Sequence, residues 1–489
     1  HYMSQEIRNL EPKVLWNQFA NLNAVPRPSK KEDRVIAFMK DFGNQLGLET
    51  FEDAIRNVII RKPATPGMEN RKPVVLQGHL DMVHQKNADT VFDFDTQGIE
   101  MYVDGDWVRA RGTTLGADNG LGVAAIMAIL ESKDIPHPAI EALFTIDEET
   151  GMTGALNLKG GILQGQILLN LDTEEDDEID IGCAGGIDVT ATAEFDEEET
   201  PEGSVGYIIT VKGLNGGHSG MDIHKGLGNA NKIMNRLLFD GFDNFGLQIA
   251  SIQGGSLRNA IPRESVAKVI IAEVYDEAFV FDMQQIVNEI KTELKSTEPN
   301  LEIVFEKLDT PPAKVMPSIA QFYFVRAMYT AHNGVYRMSA DFDNLVETSN
   351  NIAKVELANG QLSVQCLTRS SVESAKMDLA NALRSAFELM GCEVEFSGSY
   401  PGWTPNSKSE ILDVLTSIYE KQNKEKAKVV ACHAGLECGI LGANYPDMDM
   451  ISFGPTIHGA HSPDERASIS SAQKFWKFLV EILATIPVK

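Results

Sequence analysis

Histidine and carboxylate side chains follow the ends of several apolar runs that are typical of buried strands. His79 and Asp81 come after the run at 71–77, and Asp172 comes directly after the run at 166–171. The other positions of this kind are Asp147, Glu148 and Glu149 after the run at 139–146, His461 after the run at 448–453, and Asp118 at the start of a predicted helix. Ligands of an open α/β sheet bind beyond the carboxyl ends of its strands. Four such strand ends together indicate a metal site, whereas one alone would be an ordinary turn or cap.

These side chains form a nitrogen and oxygen ligand set without cysteine. Such a set suits Zn²⁺, with Mn²⁺ or Co²⁺ as substitutes. The ligands outnumber those that one catalytic ion keeps, so we expect two ions bridged by a carboxylate. On an extended backbone Glu148 and Glu149 would point opposite ways, so that one binds metal and the other is a general base towards water. Asp81 is placed to accept the other N–H of the His79 imidazole.

Each residue also has a structural interpretation when it is taken alone. These interpretations are a hydrogen-bonded core histidine for His79, a helix N-cap for Asp118, a solvated turn pair for Glu148 and Glu149, and membership of the acidic run 174–178 for Asp172. His458 competes with His461, and their spacing does not separate them. The metal site is therefore predicted by the joint arrangement of these residues.

The segments that carry these residues are typical of an α/β domain, which we expect to hold a mainly parallel mixed sheet between helices. Short apolar runs predict strands, and apolar residues at helical spacing predict helices. The predicted helices are 32–47, 118–132, 408–422 and 470–484, and the predicted strands are 71–77, 139–146, 166–171 and 448–453.

Residues 187–402 differ from this pattern and are predicted to form an inserted α+β lid domain of two ferredoxin-like halves. The first half has strands near 205–213, 247–253, 265–274 and 300–306 and helices near 227–239 and 279–296. The second half has helices near 318–332 and 371–390 and strands near 352–358, 361–368 and 392–396. The α/β domain is then discontinuous and consists of 1–186 and 403–489. Three domains in tandem are the alternative, which leaves 448–484 without a sheet to join.

Composition argues against two classes of partner. The 489-residue chain has 43 Lys and Arg against 70 Asp and Glu, and its net charge of −27 disfavours nucleic acid and anionic membranes. No apolar run reaches about 18 residues, and the N-terminus has no apolar stretch, so we expect neither a membrane span nor a signal peptide. The five cysteines include no CxxC pair, which favours a reducing compartment such as the cytoplasm.

Ordered motifs along the whole chain resemble those of a known family. They are GHLDMV, TLGADNGLGVA, DEETGMTGA, LNLDTEE and GPTIHGAHSPDE. They are similar to the metallopeptidase family of aminoacylases, carboxypeptidase G-type enzymes and di- and tripeptidases. Within that family, GLNGGHSGMDIHKGLGNAN, RNAIPRE and CHAGLECGIL resemble the aminoacyl-histidine (non-specific) dipeptidases. The resemblance implies a catalytic domain at 1–186 and 403–489.

The resemblance also implies a role for each candidate ligand. Asp118 would bridge two zinc ions, with Glu148 as general base and Asp81 as the orienting partner of His79. The first ion's shell would be completed by His79 and Asp172, and the second ion's shell by Glu149 and His461. The same resemblance favours His461 over His458.

In the lid domain the resemblance implies groups that contact the substrate. His218 of GGHSG would steady the oxyanion, and Asn259 of RNAIP and Arg369 of LTRSS would receive the substrate's C-terminal carboxylate. Gly435 would supply a backbone contact. A Gly-rich turn is the structural interpretation of His218, a surface charge is that of Arg369, and Arg258 competes with Asn259. The roles of His224, His433 and Glu437 stay open.

The expected function is that of a cytoplasmic dizinc dipeptidase, which cleaves unblocked dipeptides such as Xaa-His and carnosine-type substrates. An N-acyl amino acid deacylase or a tripeptidase of the same family is the first alternative, and a non-enzymatic metal-dependent binding protein is the second. Some relatives dimerise through a single lid unit and bring the oxyanion histidine from the partner chain. The doubled lid is compatible with a monomer or a homodimer, so His218 is assigned to neither its own nor a partner site.

Overall fold

The computed structural model describes residues 2–432 and 437–489. In these residues the α-helices are Tyr2–Arg8 (α1), Lys13–Asn23 (α2), Asp33–Gln45 (α3), Ala117–Glu131 (α4), Glu148–Gly151 (α5), Thr153–Leu156 (α6), Ala230–Phe245 (α7), Asp276–Glu293 (α8), Ser318–Thr330 (α9), Glu373–Leu389 (α10), Glu410–Asn423 (α11), Glu437–Asn444 (α12) and Ile469–Ala484 (α13). None of these helices is both long enough and apolar enough to cross a membrane.

The strands of the same residues are Glu49–Glu52 (β1), Val58–Lys62 (β2), Val74–His79 (β3), Met101–Asp104 (β4), Trp107–Ala110 (β5), Ile140–Thr145 (β6), Ile167–Asn170 (β7), Glu178–Cys183 (β8), Gly185–Glu194 (β9), Glu198–Glu199 (β10), Ser204–Lys212 (β11), Gly217–His218 (β12), Gln248–Gly254 (β13), Ala260–Ile261 (β14), Ser265–Ala272 (β15), Glu302–Lys307 (β16), Lys314–Val315 (β17), Gly334–Met338 (β18), Val346–Ala358 (β19), Gln361–Ser370 (β20), Glu393–Tyr400 (β21), Lys428–Cys432 (β22), Asp449–Ser452 (β23), Ile457–His458 (β24) and Arg466–Ser468 (β25). Every helix and strand listed from the apolar pattern corresponds to one of these elements, with bounds shifted by a few residues.

Two compact units divide the chain. The first unit draws on His1–Gly182, Pro405–Ala431 and Leu436–Lys489, and the second unit contains Cys183–Thr404. The limits predicted at 186 and 402 fall four and two residues from the unit limits at 182 and 404.

An eight-stranded sheet forms the centre of the first unit, in the order β1-β2-β6-β3-β7-β23-β8-β22. The four strands β6, β3, β7 and β23 are parallel neighbours, and antiparallel strands flank them. All residues of β3, β6 and β7 are buried, as expected for parallel strands that are covered on both faces. The prediction of a mainly parallel mixed sheet is confirmed, and the parallel strands lie at its centre.

Helix α4 is apolar on all sides, and every residue from Ala117 to Leu130 is buried. A helix of this kind belongs in the interior of a domain, because no face of it suits water. Asp118 in its first turn departs from helical backbone angles, so its carboxylate lies at the point where the chain enters the helix. The buried helix therefore provides a firm support for that side chain.

One antiparallel sheet organises the second unit, in the order β16-β11-β15-β13-β19-β20-β9-β21, with β18 paired to β19. The elements β11, α7, β13, β15, α8 and β16 follow the strand and helix sequence of a ferredoxin-like half. The elements β9, α9, β19, β20, α10 and β21 form a second half of the same kind, and β13 joins β19 between the two halves. The sequence predicted no strand at β9. In the structure β9 is the first strand of the second half, and it precedes the entire first half along the chain.

The helices of the second unit bury their apolar faces on this sheet. Phe279 of α8 is fully buried, and its ring contacts those of Tyr207, Phe245 and Phe305 at centroid distances of 5.6, 5.8 and 6.2 Å. Phe281, two residues further along α8, is 69% exposed. The two phenylalanines therefore offer a matched pair for testing which face of α8 stabilises the unit.

Phe279→Ala is expected to destabilise the second unit by about 3–5 kcal/mol, because it removes a large buried ring and leaves a cavity. Phe281→Ala is expected to change stability by less than about 0.5 kcal/mol. Urea unfolding, followed by circular dichroism, measures both changes. Equal shifts for the two variants would contradict the packing of Phe279 against the sheet.

Candidate metal centre and active site

The carboxyl ends of three parallel strands meet in the first unit. His79 is the last residue of β3, Glu148 begins α5 soon after β6, and Asp172 follows β7. Because β3 pairs in parallel with both β6 and β7, these three side chains lie at one edge of the sheet. Asp118, from the start of α4, reaches the same edge.

The Asp118 carboxylate lies between two histidines. Its Oδ1 atom is 3.1 Å from Nε2 of His79, and its Oδ2 atom is 3.0 Å from Nε2 of His461. Nε2 of His461 is also 3.0 Å from Oε2 of Glu149. One carboxylate with one oxygen towards each histidine has the arrangement that a bridging ligand needs.

The described residues contain four groups of potential ligands, and in each the ligand atoms lie within 4.8 Å of one another. The groups are His79, Asp118 and Asp172; Asp118, Glu149 and His461; His79, Glu148 and Glu149; and Glu32, Asp81 and Asp147. The first two groups share Asp118, and together they contain all five residues that the sequence proposed as ligands.

Glu148 and Glu149 lie on the single helical turn α5, so the expectation of an extended backbone at this position was wrong. Their carboxylates both approach Nε2 of His79, at 3.5 Å from Glu148 and 3.6 Å from Glu149. The hydrogen-bonded turn directs the two adjacent side chains to the same site. Backbone alternation therefore does not divide their roles.

The charges of this cluster fit divalent cations. Burial, and then repulsion by neighbouring carboxylates, holds the pKa of Glu148 and of Asp172 well above the usual range. Hydrogen bonds to Asp118 and Glu149 raise the pKa of His461 to about 11. The buried Oε1 atom of Glu149 has no hydrogen-bond partner among the described residues. A cluster of buried acids of this kind favours the binding of positive charge, and its nitrogen and oxygen donors suit Zn²⁺.

Asp81 orients both His79 and the turn that carries the two glutamates. Its Oδ1 atom is 3.2 Å from Nδ1 of His79, whose nearer contact is the Asp81 carbonyl oxygen at 2.9 Å. The backbone N–H groups of Glu148 and Glu149 donate to the Asp81 carboxylate at 3.0 and 3.2 Å. The hydroxyl of Ser29 donates to it at 2.6 Å. Burial opposes the charged form, yet these donors hold the pKa of Asp81 below its usual value.

The structure distinguishes His461 from His458. His458 lies 3.4 Å from the carboxylate of Glu175 and packs against the ring of Trp107 at a centroid distance of 5.2 Å. His458 belongs to none of the ligand groups found in the described residues. Nε2 of His461 lies 3.0 Å from the Asp118 carboxylate, and the backbone of His461 is in the left-handed region with φ of 70°.

Sequence reasoning missed polar residues around the cluster. Glu32 accepts the backbone N–H of Asp147 at 3.1 Å, and Ser29 holds Asp81. Glu174 lies beside Asp118, and burial and that neighbour raise the pKa of Glu174 to about 8. Its place in the LNLDTEE motif was the one available signal, because Ser29 and Glu32 are remote in sequence from every ligand.

In the second unit, His218 has a defined tautomer. Its Nδ1 atom accepts hydrogen bonds from the backbone N–H groups of Gly220 at 3.0 Å and Met221 at 3.1 Å. The ring proton of the neutral imidazole is therefore on Nε2, which is a donor. Burial, followed by the charge of Arg369, lowers the pKa of His218 and favours this neutral form.

Arg369 and Asn259 lie in the same region of the second unit as His218. Ser219 joins them, because its backbone N–H donates to the Asn259 carbonyl oxygen at 2.8 Å and its hydroxyl accepts from Arg369 at 3.3 Å. Arg369 is only 5% exposed and also donates to the Tyr400 hydroxyl at 3.4 Å. The interpretation of Arg369 as a surface charge is therefore wrong.

The open residues have different surroundings. Arg258 donates to the carbonyl oxygens of Cys366 at 2.8 Å and Val189 at 3.3 Å, so its guanidinium is bonded to strands β20 and β9. His224 is exposed in a short turn, and Glu437 is buried with its Oε1 atom 2.8 Å from Nε2 of Gln77. Gly435 and His433 lie outside the described residues.

Comparisons with known proteins agree over almost the whole chain. Residues 75–485 match the profile of Peptidase family M20/M25/M40. The cytosol non-specific dipeptidase of Escherichia coli (strain K12) is 42% identical over 488 residues, which cover 99% of this chain and 100% of that protein.

Solved structures agree with these matches. The crystal structure of aminoacylhistidine dipeptidase from Vibrio alginolyticus has a TM-score of 0.96 and 44% identity, and the match covers 99% of both chains. The aminopeptidase PepT of Bacillus cereus shares the fold alone. Its structure has a TM-score of 0.57 and 16% identity, and the match covers 98% of this chain and 99% of that chain.

His461→Ala is expected to lower the zinc content per chain, because it removes the nitrogen donor of one ligand group. His458→Ala is the matched control and should keep the wild-type content, since His458 contacts Glu175 instead. Metal analysis after equilibration with Zn²⁺ and gel filtration measures both. Loss of zinc from the His458 variant alone would reverse the assignment.

Proposed function

The chain belongs to Peptidase family M20/M25/M40, and we propose that it is a metal-dependent dipeptidase that hydrolyses unblocked dipeptides. The observation that carries the proposal is the Asp118 carboxylate, which presents one oxygen to His79 and the other to His461 within a buried group of acids. The full-length relatives named as dipeptidases in Escherichia coli and Vibrio alginolyticus support dipeptides as the substrate class.

Two Zn²⁺ ions per chain are proposed, with Mn²⁺ or Co²⁺ as substitutes. Asp118 would be shared, with His79 and Asp172 completing one ligand set and Glu149 and His461 completing the other, in line with the two groups that share Asp118. When bound, such ions polarise the scissile carbonyl and lower the pKa of the attacking water.

Glu148 is proposed as the general base. Its carboxylate would take a proton from the attacking water and deliver it to the leaving amine. A carboxyl group whose pKa is raised by burial suits both steps, because its carboxylate is a stronger base towards water than that of an exposed acid. The backbone N–H of Glu148 is held by Asp81, which keeps the turn in place.

His218 is proposed to donate its Nε2–H to the oxyanion that forms on the substrate carbonyl. The neutral tautomer described above supports this role, because both N–H donors of the Gly220–Met221 turn occupy Nδ1. A monomer and a homodimer are both compatible with this assignment. The role itself needs only a donor that is preorganised and uncharged.

Arg369 and Asn259 are proposed to bind the substrate's C-terminal carboxylate, with Gly435 as a backbone contact. A guanidinium presents paired donors that match a carboxylate. Fixing the free carboxylate at a set distance from the scissile bond would limit cleavage to short peptides, including Xaa-His and carnosine-type dipeptides. The name of the Escherichia coli relative supports a cytoplasmic location.

A substrate panel separates this function from its alternatives. The metal-reconstituted chain would be assayed with carnosine, Xaa-His, other dipeptides, tripeptides and acetyl-amino acids. We expect the highest kcat/KM with a dipeptide. Faster turnover of an acetyl-amino acid or a tripeptide would identify a deacylase or a tripeptidase instead, and the fold shared with PepT does not favour either alternative.

Glu148→Gln is expected to lower kcat by about 100-fold or more, because the amide cannot accept the proton of water. Zinc content should stay at the wild-type value. Glu175→Gln, at the half-buried acid paired with His458, is the control and should keep full activity. Activity retained by the Glu148 variant would exclude this residue as the base, and zinc binding without hydrolysis in the wild type would favour a binding protein.

Arg369→Lys is expected to lower kcat/KM for a free dipeptide by about tenfold or more, because lysine lacks the planar paired donors of arginine. The corresponding dipeptide amide, which lacks the carboxylate, should be affected much less. Arg258→Lys is the control and should leave the preference for acid over amide unchanged. Equal losses for both substrates in the Arg369 variant would argue against carboxylate binding.

A further inference from the structure

Glu465 is a buried carboxylate of the first unit that binds the backbone beside Asp118. It is 2% exposed, and its Oε1 atom accepts the N–H groups of Leu115 at 2.9 Å and Gly116 at 3.0 Å. Its Oε2 atom accepts the N–H of Asp118 at 3.1 Å. These donors stand at the entrance to α4, so Glu465 supplies the acceptors that this helix start needs.

The same residue ends the loop that carries His461. In this loop the N–H of Ser462 donates to the Gly459 carbonyl oxygen at 3.2 Å, and the N–H of Glu465 donates to the Ser462 carbonyl oxygen at 3.0 Å. The His461 side chain is 54% exposed, so packing alone holds it weakly. Glu465 therefore connects the loop of one histidine to the segment that contains Asp118.

Arg27 connects that segment to the other histidine. Its Nη2 atom donates to the Gly116 carbonyl oxygen at 2.8 Å, and its Nη1 atom donates at 3.1 Å to the carbonyl oxygen of Leu80, which follows His79. A Cβ atom at Gly116 would lie 2.6 Å from Nη2 of Arg27, and φ of Gly116 is +76°. Both facts account for a glycine at this position of the TLGADNG motif.

Gly116 is thus held from both sides, by Glu465 at its N–H and by Arg27 at its carbonyl oxygen. The two side chains carry opposite charges and are both buried, which reduces the cost of placing either charge away from water. Removing one contact would leave backbone groups without partners next to Asp118.

We propose that Glu465 is a positioning residue for the metal centre, which holds the Asp118 carboxylate and the His461 imidazole at the separation that a shared divalent ion requires. Arg27 holds Asp118 relative to His79 in the same way. The inference rests on the proposed metal centre, and it assigns Glu465 no contact with substrate or metal. Residues that orient metal ligands typically contribute about 10–100-fold to metal affinity.

The test compares Glu465→Gln with Asp464→Asn. The glutamine has the shape of glutamate but turns a donor towards the N–H groups at the start of α4. Asp464 is the exposed neighbouring acid, so its variant removes the same charge without that contact. Zn²⁺ affinity is measured on the full chain by competition with a chromophoric chelator, and the Co²⁺ form is examined by its visible absorption spectrum.

We expect Zn²⁺ affinity to fall about 10–100-fold in the Glu465→Gln variant, with an altered Co²⁺ spectrum. Asp464→Asn should match the wild type. Unchanged affinities and spectrum in Glu465→Gln would overturn the inference, even if the metal-free protein unfolds at a lower temperature, because the role would then be structural. A wild type that binds no divalent ion would overturn the proposed function and this inference together.

Glu465→Asp provides a second variant in case glutamine prevents folding. Aspartate keeps both acceptor oxygens but is one methylene shorter, so we expect an affinity between those of the wild type and Glu465→Gln. The criterion is the same, since wild-type affinities and a wild-type Co²⁺ spectrum in this variant would overturn the inference.

Discussion

The Asp118 carboxylate points one oxygen at His79 and the other at His461, and the first unit is arranged around this contact. Several more acids converge on the same two imidazoles, and burial raises the pKa of Glu148, Glu149 and Asp172. Such a concentration of negative charge away from water is unfavourable unless protons or metal ions neutralise it. The same geometry that makes the buried negative charge unfavourable therefore accounts for the metal requirement of the family.

The surroundings of this cluster keep its parts in place. Fully buried parallel strands and the buried helix α4 support the ligand side chains. The ligands lie at the ends of these elements, where the chain turns. Backbone N–H groups then fix the side chains, because Asp81 accepts those of Glu148 and Glu149 and Glu465 accepts that of Asp118. Preorganised donors and acceptors cost little reorganisation during the reaction.

Backbone and side-chain hydrogen bonds also fix the functional groups of the second unit, which are uncharged or positive. Two backbone donors select the tautomer of His218, and Ser219 contacts both Asn259 and Arg369. His218, Ser219 and Asn259 lie in or beside the short strand pair β12 and β14, and Arg369 lies in the long strand β20 of the main antiparallel sheet. Hydrogen bonds between these elements give each side chain a defined direction, which recognition of a small substrate requires.

Apolar periodicity was enough to predict the main strands and helices, and motif order was enough to identify the family, because both are properties of nearby residues. Motif resemblance already favoured His461 over His458, whereas the placing of Glu148 and Glu149 on one turn and the use of β9 as the first strand of the later half depended on the folded chain. So did Glu465, whose partners are 347–350 residues away. Contacts across such separations are set by backbone direction and packing, which residue spacing does not encode.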